Sequence, residues 1–183
     1  MRQRTVMKVL LAITGASGLP YGVTLLESLK ALKQDVSVVV SSGAKEVAKA
    51  EGVALPRADY GERDFSCPYA SGSNPPDAMV VCPCSLKTLG EIANGVGSSL
   101  ITRAAEVCLK ERRKLVLVVR DTPYSLITIR NMETVTLAGG VIMPASPGFY
   151  GKPKKVDDLL GFMAARVLDQ LGIKNSVGKR WKA

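Results

Sequence analysis

Short apolar runs recur along this chain, and each is followed by a polar loop and then by a stretch of helical spacing. The runs cover residues 6–13, 35–41, 78–82, 115–119 and 141–143. They are rich in Val, Ile and Leu and nearly continuous, as strands are when both faces of a sheet are covered. Between them, residues 21–32 carry Val23, Leu26 and Leu29 at helical spacing. Residues 43–51, 85–95, 98–113, 125–138 and 157–171 also read as helices. Such alternation dictates right-handed crossovers and parallel pairing. The predicted fold is α/β: a three-layer, doubly wound, mostly parallel sandwich of Rossmann or flavodoxin type, one domain over residues 1–183. Residues 52–77 are expected to form a long loop with at most short elements, and the basic tail from Lys174 to be loose.

In doubly wound sheets ligands sit at the carboxyl ends of the strands, and here every unusual loop directly follows a strand. The first, TGASG at residues 14–18, lacks the G-x-G-x-x-G spacing of dinucleotide folds and the closing Lys of a Walker loop. It still presents backbone N–H groups at a helix start, where an anion or a flavin edge can bind; equally, it reads as an ordinary turn with Ser17 near the cap. Ser41 follows the second strand, Ser85 and Thr88 the third, and Arg120 and Asp121 the fourth. Ser85, taken alone, reads as a helix cap. Ser17, Ser41, Ser85 and Thr88 converging on one edge favour a mononucleotide phosphate. Arg103 and Lys110, seven apart on one helix, read by spacing as a solvated basic stripe. Arg166 stands in LLGFMAARVL, apolar on nearly every side; if buried there, it must be paired with a carboxylate or a bound phosphate.

Composition removes several classes. The chain has no His, which excludes Ser-His-Asp and Cys-His catalysis and leaves acid–base work to Glu, Asp, Lys, Tyr or Ser. Four Cys without a C-x-x-C pair give no zinc site, so no metal is expected. The net charge is +9, but its one dense run, KERRK at 110–114, reads as a solvated helix end. With aromatics at 5%, a nucleic-acid platform is not expected. No run is long enough to cross a membrane, and residues 1–4 lead straight into the first strand without a signal sequence, so free thiols and a cytoplasmic location are expected.

Taken together, TGASG (14–18), Tyr21-Gly22, ASGS (70–73), CPCS (82–85), RAA (103–105), LKERR (109–113), PGFY (147–150) and Ala165-Arg166 resemble the UbiX flavin prenyltransferase family, in register over residues 6–173. That resemblance implies an enzyme that transfers a dimethylallyl group from dimethylallyl phosphate to N5 of reduced FMN and closes a ring at C6. The product, prenylated FMN, would serve a UbiD-type decarboxylase. Cytoplasmic dodecamers with the site at subunit contacts, and no metal, are likewise implied. By resemblance, Gly15, Ala16 and Ser17 form the first FMN loop, Ser41 the second contact, Ser85, Leu86, Lys87 and Thr88 the third, and Arg120 the fourth. Tyr150 and Arg166 match binders of the dimethylallyl phosphate. Arg103 and Lys110 match cations supplied across an interface. Ser17, Glu51 and Asp121 match groups at the reacting flavin edge or in proton transfer, and Phe65 forms the wall of the prenyl pocket. Asp121 and Phe65 replace the Glu and Trp of one branch of the family. Alternatives are an FMN-dependent aromatic acid decarboxylase, a non-catalytic flavin carrier subunit, and a cysteine-decarboxylating flavoprotein, the last disfavoured by the missing His.

Overall fold

In the computed structural model, which describes residues 6–181, the apolar runs pair into one six-stranded parallel sheet. The strands are β1 (Lys8–Ile13), β2 (Asp35–Val40), β3 (Tyr60–Gly61), β4 (Ala78–Cys84), β5 (Lys114–Val119) and β6 (Val141–Pro144), in the order β3-β2-β1-β4-β5-β6. Helices α1 (Leu19–Ala31), α2 (Ser42–Glu51), α3 (Leu86–Ala93), α4 (Leu100–Lys110), α5 (Leu126–Leu137) and α6 (Val156–Leu171) complete it.

Period-two alternation sends successive strand residues to opposite faces, and here both faces are dry. Val9, Leu11 and Ile13 pack with α1, α2 and α6; Leu10 and Ala12 pack with α3 and α4. Leu10, Leu11 and Ile13 have no exposed surface. Each such side chain contributes about 1.5–3 kcal/mol on burial, which fixes the register of the central strand.

Several boundaries differ from the sequence reading. The first strand begins at Lys8, not residue 6, and residues 1–4 lie outside the described residues. The third apolar run continues through Pro83 to Cys84, with a register shift against β5 between Val81 and Cys84. Residues 52–77 contain β3 and a 3-10 turn at Pro68–Ala70. The basic run does lie at a helix end, since α4 stops at Lys110 with Glu111 as its cap, but Lys114 already opens β5, its Nζ donating to the Gln170 carbonyl at 2.5 Å. Among the described residues, no helix is long and apolar enough to cross a membrane.

The strand order reverses direction between β1 and β4. Crossovers leave this point toward opposite faces, so the loops after β1 and β4 diverge and open a crevice at the carboxyl edge.

Candidate functional site

A cavity of about 390 Å³ occupies that crevice. Its floor is tied together by one hydroxyl. Buried Thr14, at the end of β1, donates through Oγ1 to the Pro83 carbonyl at 2.8 Å and accepts from the Ser85 N–H at 2.9 Å. Replacing it with valine keeps the shape but removes both bonds and strands the Ser85 N–H. Thr14→Val should cost about 1–3 kcal/mol, a fall in Tm of several degrees for a chain of this size, and should weaken binding of any ligand seated in the crevice. Unchanged melting and affinity would show the tie to be dispensable.

The walls come from residues 15–17 after β1, residues 41–43 after β2, residues 85–88 after β4, and Arg120 and Asp121 after β5. All of the predicted strand-end contacts therefore meet. Gly15 and Gly43 touch backbone to backbone: a Cβ on Gly15 would stand 2.7 Å from the Gly43 carbonyl carbon. Glycine at 15 is thus a packing requirement that lets the first two loops close one wall.

Hydroxyls play two different parts. Ser41 and Ser85 do cap helices, accepting from Ala44 N at 3.0 Å and Thr88 N at 3.3 Å. That leaves α2 and α3 starting at the cavity wall, their free N–H groups and positive dipole ends favouring an anion. Ser17 is not a cap. The residue before α1 is Gly18, left-handed at φ 90°, and the exposed Ser17 hydroxyl makes no hydrogen bond among the described residues. Arg120 completes the set. Its backbone N–H is held by the Cys84 carbonyl at 3.2 Å, yet its Nε is buried without a hydrogen-bond partner among the described residues. A buried donor left this way is costly unless a ligand accepts from it. Asp121, exposed on the rim, accepts from the Thr122 N–H at 2.7 Å.

Sequence reading missed part of the lining. Glu62, after the short β3, accepts from the Ser42 N–H at 3.0 Å, and its own carbonyl anchors Leu100 N at 2.7 Å. Ser99, Ile101 and Glu91 also face the cavity, bringing the start of α4 to it. The spacing predicts this helix over residues 98–113, and the cap signal at Ser99 could have marked its start as lining; nothing in the sequence marks Glu62.

Six predicted residues do not line their own chain's cavity. Glu51 is the last residue of α2, whose first turn is at the cavity, so it stands roughly 13 Å away at 1.5 Å per residue. Phe65 is half exposed. Arg103 turns toward the 70–73 loop, its Nε donating to the Ala70 carbonyl at 3.1 Å and its Nη1 to Glu106 at 2.8 Å. Lys110 borders the same loop at Gly72 and pairs with Glu111 at 2.5 Å. Tyr150 packs on Phe162 and Trp181. Arg166 is exposed, not buried, and pairs with Asp169 at 2.9 Å: its position is the one outward stripe of an otherwise buried turn of α6. The thiols offer no nucleophile. Burial pushes Cys82 and Cys84 well above the ordinary thiol range and Cys108 up to about 12. Among the described residues no cluster of His, Cys, Asp or Glu could hold a metal.

A crevice at the strand-order reversal, two helix starts and a guanidinium N–H without a partner among the described residues suit an anionic ligand of nucleotide size, and the sequence model of the family described as Flavoprotein matches residues 1–168. Flavin prenyltransferase UbiX of Methanocaldococcus jannaschii is 46% identical over 182 residues, covering 96% of this chain and 98% of that protein. The crystal structure of AnUbiX in complex with FMN and dimethylallyl pyrophosphate superposes with a TM-score of 0.92 at 39% identity, over 98% of this chain and 99% of that one. A dodecameric FMN-dependent UbiX-like decarboxylase from Escherichia coli O157:H7 gives 0.91 at 39% identity, over 97% and 100%. The chain belongs to the UbiX flavin prenyltransferase family.

Proposed function

We propose that this protein is a flavin prenyltransferase, which transfers a dimethylallyl group from dimethylallyl phosphate to N5 of reduced FMN and closes a ring at C6. The observation that carries this reading is the cavity at the β1/β4 crevice, lined by Ser17, whose hydroxyl has no hydrogen-bond partner among the described residues, and by Arg120, whose buried Nε has none among them either, in a chain of this family. FMN fits the donor set: helix starts for its phosphate, Arg120 and backbone N–H groups for the ring. Reduced flavin supplies the nucleophilic edge.

The protein's own residues then do the following. Gly15, Ala16, Ser41, residues 85–88 and Arg120 hold FMN, and Ser17 lies at its reacting edge. The one proton released on ring closure goes to a carboxylate, either Asp121, on the rim, or Glu51. Arg103, Lys110, Tyr150 and Arg166 hold the leaving phosphate, and Phe65 walls the allyl group. Because these last five residues and Glu51 lie outside the cavity of their own chain, they act at the cavity of a neighbouring copy. The reading therefore requires a homo-oligomer, and a dodecamer is the assembly proposed, as in the Escherichia coli relative. The reaction needs no metal, takes place in the cytoplasm, and its product serves a UbiD-type decarboxylase.

Mass spectrometry of the flavin tests the reading. The purified protein, given FMN, dimethylallyl phosphate and a reductant, should release a flavin heavier by one isoprene unit. An aromatic acid decarboxylase or a flavin carrier would return FMN of unchanged mass, and that result would overturn the proposal.

A further inference from the structure

Residues 174–181, expected to be loose, instead run back along α6. Gly178, at φ 70°, lies flat on the helix, where a Cβ would meet the Gly161 carbonyl at 3.3 Å and the Ala165 methyl at 3.5 Å. Beyond it Arg180 forks onto Asp169, with Nη1 to Oδ2 at 3.0 Å and Nη2 to Oδ1 at 2.8 Å. Arg166 donates to the same Oδ2 at 2.9 Å. Trp181 packs edge-on against Tyr150, ring centroids 5.2 Å apart.

The charge count at this cluster is decisive. Arg166 and Asp169 alone would neutralise one another, leaving nothing to attract an anion. Arg180 makes it two guanidinium groups to one carboxylate, a surplus of one positive charge beside the Tyr150 phenol. Hydrogen bonding from Arg180, aided by Asn175 and the charge of Arg166, holds the Asp169 carboxyl below its usual range, so the carboxylate stays ionised. Both guanidinium side chains remain nearly half exposed, at 47% and 44%. Arg166 commits a single N–H to Asp169 and keeps the rest of its fork for a phosphate oxygen.

We infer that Arg180, delivered by the tail, is a further binder of the allylic substrate's phosphate, acting with Arg166 and Tyr150. The inference rests on the function proposed above, but its test does not. Trp181 is the chain's only tryptophan and reports on the cluster by its emission. The assembled, flavin-free protein is titrated with inorganic pyrophosphate. A saturable change in emission is expected, with affinity about tenfold weaker in Arg180→Ala and in Arg166→Ala, and unaltered in Arg130→Ala on the exposed face of α5. Asp169→Asn separates charge from scaffolding. If Arg180 acts through its charge, this variant binds pyrophosphate at least as tightly as wild type. If it is only a clasp for the tail, Asp169→Asn loses affinity alongside Arg180→Ala, and the inference falls. It falls too if wild type shows no saturable change or if Arg180→Ala titrates like wild type. In the prenyl-transfer assay, Arg180→Ala should raise the KM for dimethylallyl phosphate about tenfold with the FMN Kd unchanged. Absence of transfer with the titration intact would sink the enzymatic reading and leave the anion site standing.

Discussion

Gly15→Ala should lower flavin affinity about a hundredfold. The added methyl would sit 2.7 Å from the Gly43 carbonyl carbon, 2.9 Å from its Cα and 3.0 Å from its oxygen. All three are backbone, so no side chain can swing aside; the first and second strand-end loops must separate. Overpacking of this kind costs about 1–3 kcal/mol, and the upper figure corresponds to roughly a hundredfold in Kd. Because both loops line the cavity, the strain is relieved by distorting the place where the flavin binds. Gly43→Ala is the informative comparison. Its Cβ would meet the Gly15 Cα at 3.4 Å, an ordinary contact, and its affinity should stay close to wild type. Fluorescence titration with FMN on both variants decides the matter. Equal affinities would mean the two loops are free to slide and that the close approach does not shape the site.

Lys110→Ala should depress prenyl transfer about a hundredfold while leaving flavin affinity and melting temperature almost untouched. Lys110 is half exposed and, among the described residues, forms an ion pair only with its neighbour Glu111. An exposed pair of this kind contributes at most about 1 kcal/mol to stability. A preorganised cation beside a departing phosphate is worth more, typically ~3 kcal/mol at the transition state, or roughly a hundredfold in rate. Arg112, two residues on in the same basic run and exposed at φ 54°, is the control, and Arg112→Ala should transfer at the wild-type rate. Single-turnover rates with reduced FMN already bound distinguish the two. Were both variants equally active, Lys110 would be a solvated cation, as its spacing alone suggests.

The contrast between what the sequence displays and what it hides follows from where the information resides. The central strands β1, β4 and β5 are legible because each is buried on both faces, as the run at residues 115–119 shows; β2, buried over its second half, and the edge strand β6, only partly buried, are legible by their β-branched runs. Tyr60–Gly61 is not legible. Two residues pairing at the sheet edge with Val39 and Val40 need no apolar run of their own. The convergence of Ser17, Ser41, Ser85 and Arg120 follows from topology alone, since every loop after a parallel strand emerges at the same edge. Which hydroxyl is free does not follow. Ser17 and Ser85 look alike in sequence, but one caps its helix and the other yields that place to left-handed Gly18. Arg166 shows the limit of composition: an apolar helix with one outward stripe and an apolar helix buried all round differ only by geometry. Glu62 was invisible because its partners, Ser42 and Leu100, are brought to it by tertiary structure.

The bonds that Thr14 makes to Pro83 and Ser85 span 69 and 71 residues of chain, and this bears on how the protein is born. A nascent chain that has released only its first two strands already owns residues 15–17 and the Ser41 turn, yet the far wall and floor of the cavity are still inside the ribosome. Non-local pairing of this kind must await closure of a long loop. Arg120, farther along still, arrives after that. The flavin site is therefore not a seed around which the sheet condenses but something the finished sheet creates, so scarcity of FMN in the cell should leave a folded chain waiting for its ligand rather than a chain that fails to fold.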